Sequence, residues 1–263
     1  LEGLVGVGVY ALERLPRPAG RALARSVVLA LGAAAQPSGA WVGNSGSFSL
    51  GVASGVAGAI ALLARCAAAG IETRLARAAA ERAWSWLRPR RRPLADAVPA
   101  VAALGLENDP ARLAWCCGDP GTASALALAA RCLGGDDRPL VDDALRAAIR
   151  PAAASGVIDA GLCHGATGVG VLFARLHNTS PHPVLRDAAR AWFARALGAR
   201  HAGAGVGGYV AWSFDRAAGG GWVADPSFLT GAAGVGLGLL AAATPREPRW
   251  DRLLLASAAE LTA

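Results

Sequence analysis

The sequence predicts an all-α fold in which apolar inner helices alternate with amphipathic outer ones. Three observations predict it. A Gly-x-x-Gly frame recurs as Gly3-x-x-Gly6, Gly55-x-x-Gly58, Gly118-x-x-Gly121, Gly165-x-x-Gly168 and Gly231-x-x-Gly234. Each frame leads into an apolar run with little charge, the pattern of a helix buried on all sides. Between the runs lie Arg-bearing segments with apolar residues at helical spacing. The frames are roughly 50 to 65 residues apart, which is too irregular for a tight solenoid but long enough for two helices and their loops.

The elements follow in chain order. The first frame opens at Gly3, so the chain enters inside a repeat unit. Met is absent even at position 1, and sequence upstream of Leu1 is expected. The apolar run 50–63 begins the second unit and leads to Cys66, a small core residue in Ala-rich surroundings. Arg88-Pro89-Arg90-Arg91-Arg92 is the one dense basic run, and it reads as a Pro-containing turn. The third inner helix follows Gly118 and carries Cys132, also read as core. An outer helix follows, with Val141, Leu145, Ala148 and Ile149 on its apolar face. Val169 to Ala174 continue the fourth inner helix. The outer helix at 184–199 places Leu185, Ala188, Ala189, Trp192, Phe193, Ala196 and Leu197 at helical spacing. Val235 to Leu240 belong to the last inner helix. Inner helices headed this way present their N-termini at one end of the assembly, and helix N-termini favour thiolates and other anions.

Composition narrows the function. The chain has 263 residues, 54% hydrophobic, with a formal net charge of +7. The frames run end to end, so one domain over residues 1–263 is expected. No apolar stretch is long and unbroken enough to span a bilayer, and no stable membrane insertion is expected. Nothing at the N-terminus resembles a signal peptide. All 26 basic residues are Arg and most are spread over the outer helices. No basic stripe with interleaved aromatics appears, so nucleic-acid binding is not expected. The 5 Cys lack paired spacing, which argues against a disulfide scaffold and for a reducing, cytoplasmic setting.

Two loops carry chemistry. Trp115-Cys116-Cys117-Gly118 and Leu162-Cys163-His164-Gly165 align on their glycines, so Cys116 and Cys163 each stand two residues before a frame. Two thiols and an imidazole make a three-ligand zinc set with an open fourth position, the pattern of catalytic zinc. Plainer readings stand beside this one. Cys163-His164 also fits a buried Cys beside a capping His. Cys116-Cys117 also fits a redox pair, although adjacent cysteines strain a disulfide. Arg112 also fits a partner of Asp109 or Glu107. His177, His182 and His201 read as solvated loop residues. Trp212 and Trp222 fit either a substrate face or a core plug.

At these residues the sequence resembles the lanthionine synthetase C-like family. Residues 3–18, 51–58, 112–125, 159–175, 205–212 and 224–240 are similar to family segments in matching order, and the Trp-Cys-x-Gly and Cys-His-Gly pair is the most specific match. The resemblance implies an α/α toroid, a double-layered helical barrel, here lacking upstream hairpins. An opened ring of this kind would expose apolar inner helices at both edges. It implies zinc held by Cys116, Cys163 and His164, with Cys117 outside the ligand set where the family commonly has Tyr. It implies addition of peptide Cys thiols to dehydroalanine or dehydrobutyrine, giving lanthionine or methyllanthionine rings. The implied partners are a dehydrated precursor peptide and a lanthipeptide dehydratase.

The catalytic candidates are Arg112 and Ser54. Arg112 matches a family arginine near the active site and suits charge stabilisation, because it does not deprotonate at ordinary pH. Ser54 stands where the family has a His implicated in acid–base chemistry, and a hydroxyl is too weak an acid to replace it directly. The family also has an Asp that would fall upstream of Leu1. These departures keep a second reading open, a zinc-binding pseudo-cyclase that scaffolds a peptide or partner enzyme. A third is a small-molecule thiol transferase on the same zinc logic.

Overall fold

The computed structural model describes residues 3–43, 48–90, 112–215 and 219–257. Its helices are α1 (Gly3–Glu13), α2 (Pro18–Ala34), α3 (Val56–Ala68), α4 (Thr73–Leu87), α5 (Asp119–Leu133), α6 (Arg138–Ala148), α7 (Ala166–Thr179), α8 (Pro183–Gly198) and α9 (Ala232–Ala243). The odd-numbered helices form an inner row in which α1 packs on α3, α3 on α5, α5 on α7 and α7 on α9. Each even-numbered helix packs outside its predecessor as a hairpin. The alternation of inner and outer helices is as the sequence predicts.

The helices α3, α5 and α7 are buried along most of their length. At the ends of the row the outcome differs. Helix α1 exposes Leu4, Val7 and Tyr10, and α9 exposes Leu240. Only Gly234, Val235 and Gly238 of α9 are buried. Both edges therefore carry bare apolar surface, as the sequence reading anticipates.

Two outer faces correct that reading. In α6 the fully buried residues are Leu140, Asp143, Ala144 and Ala147; Val141, Leu145 and Ala148 pack partly buried against the core, while Ile149 lies past the helix end and is 71% exposed. In α8, Leu185, Ala188, Ala189, Trp192 and Ala196 are buried but Leu197 is exposed. The apolar stripe is narrower than the apolar residues available, so some of them face water. Cys66 is fully buried in α3 and Cys132 is half-buried in α5. Arg88–Arg90 form a short 3-10 turn, with Arg90 stacked 4.0 Å above the Trp86 ring; Arg91 and Arg92 lie outside the described residues.

The all-α expectation omits one element. Strands β1 (Ala211–Asp215) and β2 (Gly219–Val223) form an antiparallel hairpin that pairs Trp212 with Trp222. The two indoles meet edge to face, with centroids 5.4 Å apart, and Trp222 is half exposed.

A short 3-10 turn, Arg249–Leu254, ties the row together. The Trp115 indole N–H donates to the Leu254 carbonyl at 2.7 Å. Arg65 of α3 donates to the Arg252 carbonyl, and Arg252 pairs with Glu13 of α1 at 2.6 Å. Arg175 of α7 pairs with Asp251 and, at 2.7 Å, with Glu247. Among the described residues no helix is long and apolar enough to cross a membrane.

Candidate metal centre

The repeated frame builds the site. In four of the frames the helix starts directly after the first glycine, at Gly55, Gly118, Gly165 and Gly231. The second glycine is set by close approach. A Cβ on Gly58, Gly121, Gly168 or Gly234 would lie within 2.1 Å of the carbonyl oxygen of Val52, Trp115, Leu162 or Phe228. Each of those carbonyls stands three residues before its first glycine, so the loop folds back onto the first turn of its own helix. No residue with a side chain fits there without moving backbone.

The loops then join side by side. Val52 and Ala53 N–H both donate to the Cys116 carbonyl, at 2.8 and 3.1 Å. Trp115 and Cys116 N–H both donate to the Cys163 carbonyl, at 2.9 and 3.4 Å. Leu162 and Cys163 N–H both donate to the Leu229 carbonyl, at 2.9 and 2.7 Å. One linkage repeated three times places Ala53, Cys116, Cys163 and Leu229 at equivalent positions. Two of the four are thiols, and they are neighbours.

The result is a cluster at the N-terminal end of the inner row. Donor atoms of Cys116, Cys163 and His164 all lie within 4.8 Å of one another, each residue half-buried. The His164 Nε2 faces the Asp159 carboxylate at 3.8 Å, and Asp159 is almost wholly buried. His164 Nδ1 is buried and makes no hydrogen bond. A buried imidazole nitrogen without a partner costs free energy, and a metal would satisfy it. Two thiols with one imidazole also match the donor chemistry that zinc prefers. These observations fit a metal.

Around the cluster, Cys117 Sγ lies 3.6 Å from Cys116 Sγ and 4.0 Å from Arg112 Nη2. Cys117 is exposed and falls outside the three-donor group. Contact with Cys116, followed by burial, pushes the Cys117 thiol up. Contact with Cys116 holds the Cys163 thiol below its ordinary value, with help from the Arg112 charge and against burial. Contact with the Cys116 sulfur raises His164, burial opposes this, and Asp159 adds to the rise. Burial pulls Arg112 down, but the sulfurs of Cys116, Cys117 and Cys163 together outweigh it and its pKa is raised. Arg112 is thus a fixed positive charge beside three sulfurs. Asp109 and Glu107, its alternative partners, lie outside the described residues.

The structure brings Arg112, Cys116, Cys163 and His164 together. Ser54 stands in the adjoining loop, one residue before Gly55 as His164 is before Gly165, and is exposed. The remaining histidines divide. His177 lies in the last turn of α7 and accepts from His182 N–H; His182 caps α8 by accepting from Val184 N–H. His177 thus ties the α7–α8 turn and His182 caps α8, both partly buried and not solvated loop residues; His201 is exposed. Sequence reasoning missed Asp159. Its signal was its place, six residues before Gly165, matched by Asp225 six before Gly231.

Comparison with known proteins completes the picture. The model of lanthionine synthetase C-like proteins matches residues 1–255. This chain belongs to that family. Among solved structures it is similar to a nisin cyclase, with a TM-score of 0.72 and 16% identity over 97% of this chain. The match spans 66% of the nisin cyclase chain. At that identity the likeness establishes the fold, an α/α toroid architecture. No curated protein matches the chain.

Proposed function

We propose that this chain is the zinc-dependent cyclisation unit of a lanthipeptide-maturing enzyme, joining peptide Cys thiols to dehydroalanine or dehydrobutyrine. The observation that carries the reading is the convergence of Cys116, Cys163 and His164 at the helix N-termini beside Arg112. Zinc bound there would deprotonate and hold a substrate thiol, whose free pKa is about 8.5. Cys116, Cys163 and His164 are the residues to hold it. Three protein ligands leave the fourth position for the thiol.

The chain's own residues then act on the acceptor. Attack at the β-carbon forms the C–S bond and shifts the π electrons onto the adjacent carbonyl as an enolate. Arg112 offers that charge a permanent cation in a partly buried setting, where electrostatic stabilisation is stronger than in water. The α-carbon must then take a proton. Ser54 occupies the equivalent of the family's acid–base position, and a hydroxyl serves there only by relaying or ordering water.

The substrate is a dehydrated precursor peptide, and a lanthipeptide dehydratase is its natural supplier. Five free cysteines suit a reducing, cytoplasmic compartment. Ser54 also favours a second reading, a zinc-binding pseudo-cyclase that holds such a peptide without efficient turnover. The deciding experiment incubates the zinc-loaded protein with a dehydrated peptide and follows loss of free thiol and thioether formation. Turnover supports the cyclase. Peptide binding without turnover supports the scaffold. Conversion of small thiols alone would defeat both.

A further inference from the structure

We propose that Asp159 is the positioning residue of the metal centre: it fixes the His164 ring so that Nε2 carries the proton and Nδ1 is left for the metal. The inference rests on the metal reading above and deepens it. A carboxylate ion only accepts hydrogen bonds, and a neutral imidazole has one N–H and one lone pair. The nitrogen that faces Asp159 is therefore the protonated one. At 3.8 Å the contact is an ion-pair distance, longer than a hydrogen bond.

Asp159 is itself held from two other directions. Its Oδ1 accepts from Gly161 N–H at 3.0 Å, and its Oδ2 accepts from Trp212 N–H of β1 at 3.3 Å. A Cβ on Gly165 would lie 2.3 Å from Oδ1, so the frame glycine makes room for the carboxylate. The acid is thus fixed before His164 meets it.

The neighbouring loops show the same relationship with other chemistry. In each, the residue six before the glycine meets the residue one before it. Asp225 accepts from the Thr230 hydroxyl at 2.5 Å, and also from Ser227 N–H at 2.7 Å as Asp159 does from Gly161. Arg112 reaches Cys117 at 4.0 Å. The loop fold sets this pairing, and in the third loop it joins a carboxylate to a candidate ligand. Carboxylate–histidine–metal arrangements orient the ring and strengthen the ligand, and their loss typically weakens metal binding about 10- to 100-fold.

Two measurements test it. Nitrogen-15 NMR of the metal-free chain, at a pH where the ring is neutral, should show His164 as the Nε2–H tautomer. The Nδ1–H tautomer would overturn the proposal without any variant. Competition with a chromophoric chelator should show Asp159→Asn binding zinc about 10- to 100-fold more weakly than the parent. Its metal-free thermal unfolding should fall only modestly: the amide oxygen still accepts from Gly161 N–H, while the NH2 in place of Oδ2 forfeits the longer bond from Trp212 N–H. Equal zinc affinity in Asp159→Asn and a zinc-binding parent defeats this inference alone. A parent that binds no zinc defeats the metal reading as well. A weaker affinity that merely tracks a lost fold, with no tautomer preference in the parent, makes Asp159 a structural staple and also overturns it.

Discussion

The Cys116 N–H donates to the Cys163 carbonyl at 3.4 Å, and this one bond records that the two thiols hold the same place in consecutive loops. The loops differ in sequence but share a backbone path fixed by their glycines. Both thiols are therefore partly buried alike, while Cys117, its Sγ 3.6 Å from Cys116 Sγ, is exposed. The arrangement predicts one zinc per folded chain. Cys116→Ala and Cys163→Ala should each lower bound zinc to a trace after dialysis. Cys117→Tyr should keep full occupancy. Elemental analysis of the three purified variants decides it, and zinc lost from Cys117→Tyr would shift the ligand register by one residue.

Arg112 is the second test. Its charge lies beside Cys116, Cys117 and Cys163 and cannot be titrated away. Removing one preorganised electrostatic contact costs about 2.7–4 kcal/mol of transition-state stabilisation, roughly 100- to 1,000-fold in rate. Arg112→Ala should show that loss in cyclisation at saturating zinc, with zinc content unchanged. Arg112→Lys should recover only part, since an ammonium lacks the planar fork. A wild-type rate in Arg112→Ala would assign the residue to holding Cys117 alone.

Why these residues were legible and others were not has a physical basis. The Gly-x-x-Gly frame is visible in sequence because close backbone approach tolerates no substitute, so the inner row and its N-terminal loops could be read directly. Cys116, Cys163 and His164 followed from their offset to those glycines. Asp159 was harder. Its meaning depends on a loop that brings residue −6 back to residue −1, and no periodicity announces such a return. The hairpin of β1 and β2 was hidden because Gly219, Gly220 and Gly221 carry no strand preference. Its pairing is held instead by Trp212 against Trp222 and by the Trp212 N–H on Asp159. The outer faces depart from the apolar periodicity at Ile149 and Leu197, which exceed what the narrow α-α contact covers.

Ser54 gives the third prediction. It is exposed in the loop whose Val52 and Ala53 N–H groups bind the Cys116 carbonyl, at the position that Cys117 and His164 hold in the next two loops. A positioned general acid is worth about 100-fold or more. Ser54→His should raise thioether formation toward that factor without changing zinc content. Equal rates in parent and variant would show that protonation is not limiting, or that it comes from another group.

Two glycines should respond in opposite directions. A Cβ at Gly168 would sit 1.9 Å from the Leu162 carbonyl, whose loop carries Cys163. Overpacking against backbone costs about 1–3 kcal/mol or more. Gly168→Ala should lose that stability and weaken zinc binding with it. A Cβ at Gly236, inside α9, would meet nothing within 4 Å. Gly236→Ala should gain about 0.5–1 kcal/mol, because Ala is the better helix former. Chemical denaturation of the two variants beside the parent measures both, and a neutral Gly168→Ala would remove the close-approach account of the frame.

The last prediction concerns pH. The folded pKa of His164 lies above its unfolded value of 6.5, mainly through contact with the Cys116 sulfur. A raised pKa means that the folded, metal-free chain binds this proton more tightly than the unfolded chain does. Its contribution to stability is therefore complete below the unfolded value and disappears as pH rises through the folded one. Zinc reverses the dependence, since it requires a neutral imidazole and deprotonated thiols and so competes with protons at all three ligands. Through His164, loaded protein should gain stability with rising pH across the window in which the metal-free protein loses it. The lowered Cys163 thiol adds a contribution of opposite sign to the metal-free total. Thermal unfolding of both forms from about pH 6 to pH 8, beside His164→Asn, isolates the His164 part of each slope, which should be negative in the metal-free form and positive in the loaded one. His164→Asn should remove that negative part of the metal-free slope and abolish zinc binding. A His164 contribution of the same sign in the two forms would mean that His164 does not belong to the metal site.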